Sequence, residues 1–176
     1  GDPQINLVNG KFSGFVWSAN CGWIALSNLP HAELMTDKVY SLVAGRRVFY
    51  NQSSFDGSNA AANASDDDAI ATDKNALLPG QIATFANYTS YSRGLNGIMV
   101  DIQGLANPAS LSAASFEFRV GNSNTPGSWP LVATQPTVTV RAGAGLGGAD
   151  RVTLIWADGV IKKQWLQVIV KADAVT

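Results

Sequence analysis

Residues 114–120, "ASFEFRV", decide the fold class. Phe116, Phe118 and Val120 alternate with Glu117 and Arg119. An extended chain sets those three apolar side chains on one face and the two charges on the other, so one face is built for a core and one for solvent. Working outward, short β-branched and aromatic runs recur between turn clusters: "VYSLV", "RRVFYN", "QIATF", "GIMVDI", "TVTVRAG", "RVTLIWA" and "QWLQVIVKA". Each reads as a strand, and helical periodicity is poor throughout. The pattern predicts an all-β chain, a β-sandwich of immunoglobulin-like or jelly-roll-like type. Residues 151–170, "RVTLIWADGVIKKQWLQVIV", read as one long hairpin turning near Ala157-Asp158-Gly159, with Trp156 and Trp165 read as core residues.

Composition narrows the class of function. The chain has 176 residues, is 46% hydrophobic and only 14% charged, and carries a net charge of −1. About 25% charged is usual, so solubility here comes from small polar residues, as suits a secreted β-rich protein. Near-neutral charge gives no general attraction to nucleic acid. No apolar run approaches the ~20 residues of a membrane span. A single cysteine, Cys21, excludes an intrachain disulfide or a cysteine-rich zinc site and reads as a small buried apolar residue. The start, Gly-Asp-Pro-Gln, fits a mature end left by signal cleavage and equally a trimmed one.

The chain divides at Pro30. Residues 1–37 form an aromatic N-terminal β-segment and residues 38–176 the sandwich. In "INLVNGKFSGFVWSANCGWIALSNL", residues 5–29, two β-runs flank a Ser-Ala-Asn-Cys-Gly turn. Phe12, Phe15, Trp17, Trp23, Ile24 and Leu26 give such a hairpin more apolar surface than water tolerates bare. Burying it at about 25 cal/mol per Å² contributes several kcal/mol wherever it lands. Two destinations are open: its own sandwich, or the sheet edge of a neighbouring copy, as an assembly arm that adds strands. A head-to-tail contact that does not close generates a filament.

Catalytic apparatus is not legible. His31 is the only histidine, Glu33 and Glu117 are the only glutamates, and no G-x-S-x-G elbow is present. Glu117 reads as a surface partner for Arg119. "GAGLGGAD", residues 143–150, lacks a Walker lysine and precedes a strand, so it reads as a hairpin turn. The chain is therefore expected to be no enzyme. Two polar insertions remain, residues 51–74 and 121–136. In the first, "SDDDAIATD" places Asp66, Asp67, Asp68 and Asp73 within eight residues. Like charges so close need an offset, either calcium or nearby Lys/Arg, and a solvated acidic loop is the plainer alternative. The spacing is not that of an EF-hand, and residues 59–70 allow at most a short helical turn. Tyr88, Tyr91, Arg93 and Asn96 in "NYTSYSRGLNG", with Trp129 in the second insertion, are the candidates for a sugar-binding face. The two tyrosines, three residues apart, also read as ordinary packing beneath a loop.

Two stretches carry a resemblance. "GKFSGFVWSANCGWIALSN" resembles the G-x-x-W-x-x-N-x-G-W-I segments of large secreted bacterial surface proteins. "RVFYNQSSFDG", "DDDAIATDKNALLPGQIATFANYTSYSRGLNGIMVDIQGL", "FEFRVGN" and "VRAGAGLGGADRVTLIWADGVIKKQWLQVIV" resemble a β-sandwich module of such proteins that often precedes a dockerin or a sorting signal. The resemblance implies secretion to a bacterial surface and transfers no catalytic residue. No dockerin or sorting tail follows before Thr176, which leaves a chain acting alone or assembling with itself. Two functions are thus expected. One is an extracellular structural or adhesive protein whose partner is itself or other surface proteins. The other is a carbohydrate-binding module acting on extracellular polysaccharide.

Overall fold

The computed structural model describes residues 41–171 and, as backbone alone, the strands Gln4–Ile5 (β1), Phe12–Ser13 (β2), Phe15–Ser18 (β3) and Gly22–Ala25 (β4). The chain separates into two compact units, Gly1–Leu42 and Val43–Thr176. In the first, β1 pairs antiparallel with β2 and β3 with β4, and the register sets Trp17 opposite Trp23 and Phe15 opposite Ala25.

The second unit holds Gly97–Gln103 (β6), Phe116–Gly121 (β7), Thr137–Arg141 (β8), Asp150–Ile155 (β9) and Trp165–Val170 (β10), with Leu42–Val48 (β5) entering it. One sheet has the order β5-β6-β9-β8 and a second pairs β7 with β10. The assigned pairings are antiparallel, from Ile98 opposite Leu154 to Phe118 opposite Val168. Helical structure among the described residues is confined to 3₁₀ turns. The chain is all-β, as its alternation predicts.

That alternation also fixes the core. Phe116 and Phe118 of β7 pack with Ile98, Val100 and Ile102 of β6 and Val152 and Leu154 of β9. Leu166, Val168 and Val170 of β10 pack against the same cluster, so both sheets share it. Trp156 sits edge-on to Phe118 at 5.2 Å between ring centroids and donates its Nε1–H to the Thr134 carbonyl. On β7 the intervening charges pair with each other: Arg119 Nε donates to Glu117 Oε1 at 2.6 Å.

The strand β6 is buried along nearly its whole length, and the reason lies in the first polar insertion. The other face of the four-stranded sheet is covered by residues 49–71, where Phe49, Ala69 and Ile70 pack on Met99 and Ile155. A backbone bridge between Phe49 and Ile70 closes that insertion. Gly97 lets Phe49 lie flat on β6, since a Cβ there would stand 2.6 Å from the ring.

Two expectations are corrected. Residues 151–170 are not a hairpin: β9 has β6 on one side and β8 on the other, so neither edge is left for β10. The segment between β9 and β10 instead buries Trp156 and Ile161 in the shared core. "QIATF" is no strand. Residues 81–84 have no regular structure and Phe85–Asn87 form a 3₁₀ turn, with Ile82 and Phe85 strongly exposed. "GAGLGGAD" does join a hairpin, that of β8 and β9.

Candidate functional site

Among the described residues, one edge of β10 has no strand beside it. Lys171 donates its backbone N–H to Ser115 O, which fixes the phase of the β7–β10 ladder. Because hydrogen-bonded pairs alternate along an antiparallel ladder, Leu166, Val168 and Val170 turn their backbone groups away from β7. Among the described residues no strand pairs with that edge. The same three residues direct apolar side chains to the core but are only partly buried. The strand reads Trp-Leu-Gln-Val-Ile-Val, without one charge or proline. Exposed edges are usually blunted by lysine, proline or a bulge, and this one is not. The opposite edge, on β7, is hooked by Val120 N–H to Pro130 O and Val132 N–H to Phe118 O.

Of the assembly-arm candidates, Phe12, Phe15, Trp17, Trp23 and Ile24 fall on β2, β3 and β4, where the side chains lie outside the described residues. Leu26 lies outside them altogether.

The sugar-binding candidates divide. Tyr91 donates its hydroxyl to Asn51 O at 3.0 Å and packs against Tyr50 at 4.8 Å between centroids, the rings tilted by 41°. Asn96 is buried and donates Nδ2–H to both Asn51 O and Asp158 Oδ1, each at 2.9 Å. Arg93 reaches Gln52 Oε1 at 3.2 Å and pairs with Asp158. Burial pushes the Tyr91 hydroxyl pKa upward. Burial works against the Asp158 carboxylate, but Asn96 and Arg93 outweigh it and hold the group below its usual value. Tyr91, Arg93 and Asn96 therefore form one polar clasp that ties the start of the first insertion to β6 and to the β9–β10 segment.

Tyr88 stands apart from the clasp, exposed and edge-on to Phe85 at 5.1 Å. Trp129 is elsewhere again and is only 8% exposed. It lies over Gly121, where a Cβ would stand 2.4 Å from the indole, and donates Nε1–H to Ser123 Oγ at 2.9 Å. So placed, it offers little ring to a ligand.

The acidic run is also divided, and each carboxylate meets a different fate. Asp67 pairs with Arg141 and, at 3.0 Å, with Arg151. Burial would raise its pKa, but the two guanidinium groups overcome that and lower it. Asp73 pairs with Lys74 at 3.1 Å, and Asp68 is exposed. Asp66 is buried in a capping box, where its Oδ2 accepts from Asn63 N–H at 2.9 Å. Its carboxyl is pushed upward, first by burial and then by the charge of Asp56, against the opposing Asn63 hydrogen bond. Asp66, Asp67, Asp68 and Asp73 thus build no common centre. Among the described residues no three His, Cys, Asp or Glu side chains gather as a metal site.

Asp67 belongs to a network that crosses the sheet. The register places Asp101 of β6 opposite Arg151 of β9, and Arg151 opposite Arg141 of β8. Arg151 Nε donates to Asp101 Oδ1 at 2.8 Å and Nη2 to Oδ2 at 2.9 Å, while Leu146 N–H reaches Oδ2 at 3.0 Å. Burial alone would raise Asp101, yet these donors hold it below the ordinary carboxylate value. Gly45 and Gly145 leave the room it occupies, since a Cβ at either would come within 2.7 Å of its carboxyl group. Asp67 therefore staples the insertion to the sheet, the Lys/Arg offset that the crowded acids required. Asp101 and Arg151 escape a reading of single strands, although a charge inside "GIMVDI" is itself a sign of a buried pair.

A further groove of about 730 Å³ lies between β5 and the loop of residues 75–87, lined by Arg46, Asn75, Leu78, Gln81, Ile82 and Asn87, among others. No helix among the described residues is long and apolar enough to cross a membrane. No known protein family, curated protein or solved structure matches the chain.

Proposed function

We propose that this chain is a non-enzymatic structural or adhesive protein of a bacterial surface, secreted, and self-assembling by strand addition. The second unit is then a β-sandwich of immunoglobulin-like or jelly-roll-like type whose smaller sheet is one strand short. The acceptor is the outer edge of β10, and the donor is the aromatic strand segment of residues 1–37 from a neighbouring copy. The observation that carries this reading is the uncharged edge of β10, with partly exposed Leu166, Val168 and Val170. Adding a strand there would satisfy the outward backbone groups and cover the apolar strip together. A donor and an acceptor on different parts of one chain make the contact heterologous, and a heterologous contact that does not close yields a filament. The resemblance to secreted bacterial surface modules agrees with this setting.

The test is negative-stain electron microscopy of the intact chain, of the chain lacking residues 1–30, and of Val168→Pro. Proline at 168 removes an outward N–H without touching the bonds to β7. Filaments in the intact chain alone, with a folded circular-dichroism spectrum in the other two, are expected. Filaments that persist in Val168→Pro, or monomers in every sample, refute the reading.

One observation favours a second reading, a carbohydrate-binding module. The exposed Phe85–Tyr88 pair follows a loop whose Asn75, Gln81 and Asn87 line an open groove beside β5. Exposed rings next to amide groups suit a polysaccharide chain. Loss of retardation in polysaccharide gels on Tyr88→Ala, at unchanged oligomeric state, would support it.

A further inference from the structure

Seven buried side-chain nitrogen and oxygen atoms among the described residues have no hydrogen-bond partner, and three of them lie between residues 51 and 66. They are Asn51 Oδ1, Asp56 Oδ1 and Asp66 Oδ1, on residues that are 3%, 2% and 0% exposed. A buried acceptor without a donor costs about 1–3 kcal/mol, and more when charged, so three in one loop need a cause. Each side chain is otherwise fixed. Asn51 donates Nδ2–H to Ala60 O, Asp56 Oδ2 accepts from Gln52 N–H at 2.6 Å, and Asp66 Oδ2 accepts from Asn63 N–H at 2.9 Å. In each case one atom positions the group, and the other oxygen is left turned from both solvent and donors.

The two carboxylates are neighbours. The 3₁₀ turns Ser54–Asp56 and Ala64–Ala69 pack on each other, and the charge of Asp56 acts on Asp66. The guanidinium groups give these oxygens no hydrogen bond: the charge of Arg141 acts on Asp66, but its hydrogen bonds go to Asp67 and its buried Nε has no partner, while Arg151 serves Asp67 and Asp101. We propose that Asn51, Asp56 and Asp66 hold one calcium ion between the two turns. An oxygen-only set of two carboxylates and an amide in an irregular loop suits calcium, which draws its remaining oxygens from loop carbonyls or water. Magnesium, bound through a stricter octahedron and reluctant to shed water, suits it less. The acidic run therefore serves two ends, with Asp67 on the sheet arginines and Asp66 on the ion.

The competing explanation is a proton shared by the two carboxyls. Intact protein, stripped with chelator and held at pH 7.5, would be melted with added calcium, with added magnesium, and with EDTA. Terbium luminescence excited through tyrosine, with calcium as competitor, gives a readout independent of stability. At free calcium a hundred times its Kd, the melting temperature is expected to rise by about 5–10 °C. Magnesium should give little, and Asp56→Asn with Asp66→Asn should abolish both the rise and the terbium signal. Asp73→Asn should keep both. Asn51→Asp should be less stable than wild type in EDTA yet gain more from calcium, a sign reversal that a merely structural asparagine would not produce. No calcium response in the wild type, with stability rising on mild acidification, would assign the pair to a proton and overturn the proposal. So would a calcium rise that survives the double variant.

Discussion

Replacing Asp101 by asparagine is the sharpest test of how the second unit is held together. The carboxylate is fully buried and accepts from Arg151 twice and from Leu146 N–H once. Asparagine keeps the shape but removes the charge and sets an amide N–H against a guanidinium. Breaking a buried ion pair from one side costs about 3–5 kcal/mol, because the surviving charge stays buried. Here Arg151 retains Asp67 at 3.0 Å, so the cost belongs near the low end, about 3 kcal/mol. For a unit of this size that lowers the melting temperature by roughly 10 °C. Urea unfolding followed by tryptophan fluorescence, with circular dichroism on heating, measures it. The folded carboxyl lies below its unfolded value of about 3.9. Its stabilisation is therefore present above that pH and disappears as pH falls through the folded value. The gap between wild type and Asp101→Asn should thus close in strong acid. A loss under about 1 kcal/mol at neutral pH, or a gap that does not narrow on acidification, would refute the role given to this pair.

Two further substitutions probe packing. Gly97→Ala puts a Cβ 2.6 Å from the Phe49 ring and should cost about 1–3 kcal/mol in a urea titration, by prising the insertion off β6. Trp129→Ala should lower stability by about 3 kcal/mol or more and leave polysaccharide retardation unchanged. Altered retardation at an unchanged melting temperature would return that indole to the binding face.

The sequence disclosed what period two can disclose. Phe116, Phe118 and Val120 declared their inward face, whereas β6 and β9, buried on both faces, carry no such alternation of burial. What it hid was pairing. Nothing in "RVTLIWADGVIKKQWLQVIV" says that β9 already has two neighbours, because adjacency in sequence is only a default for adjacency in a sheet. "QIATF" carries β-favouring residues but pairs with no strand among the described residues, and strand propensity largely reflects such packing. Among the candidate sites, crowding of Asp66, Asp67 and Asp68 was visible, whereas their division was not. It depends on arginines 74 or more residues away, which the register of β8 and β9 brings over the insertion. Trp129 does lie on a loop, but its burial was hidden, because its receptor, the bare backbone at Gly121, leaves no trace in composition.

The staple between Asp67 and Arg141 joins residues 74 apart, and that between Asp101 and Arg151 joins residues 50 apart. A chain emerging N-terminus first makes the insertion and β6 well before the arginines that clamp them. Until Arg141 and Arg151 have been synthesised, Asp67 lacks the guanidinium groups that offset it, and Asp101 lacks the partner that draws it into an apolar layer. Local contacts cannot nucleate this arrangement, so folding waits on long-range closure, in the slow regime of non-local β-proteins, milliseconds to seconds. Closure of the second unit therefore waits on β8, β9 and β10, the last strands of that unit to emerge.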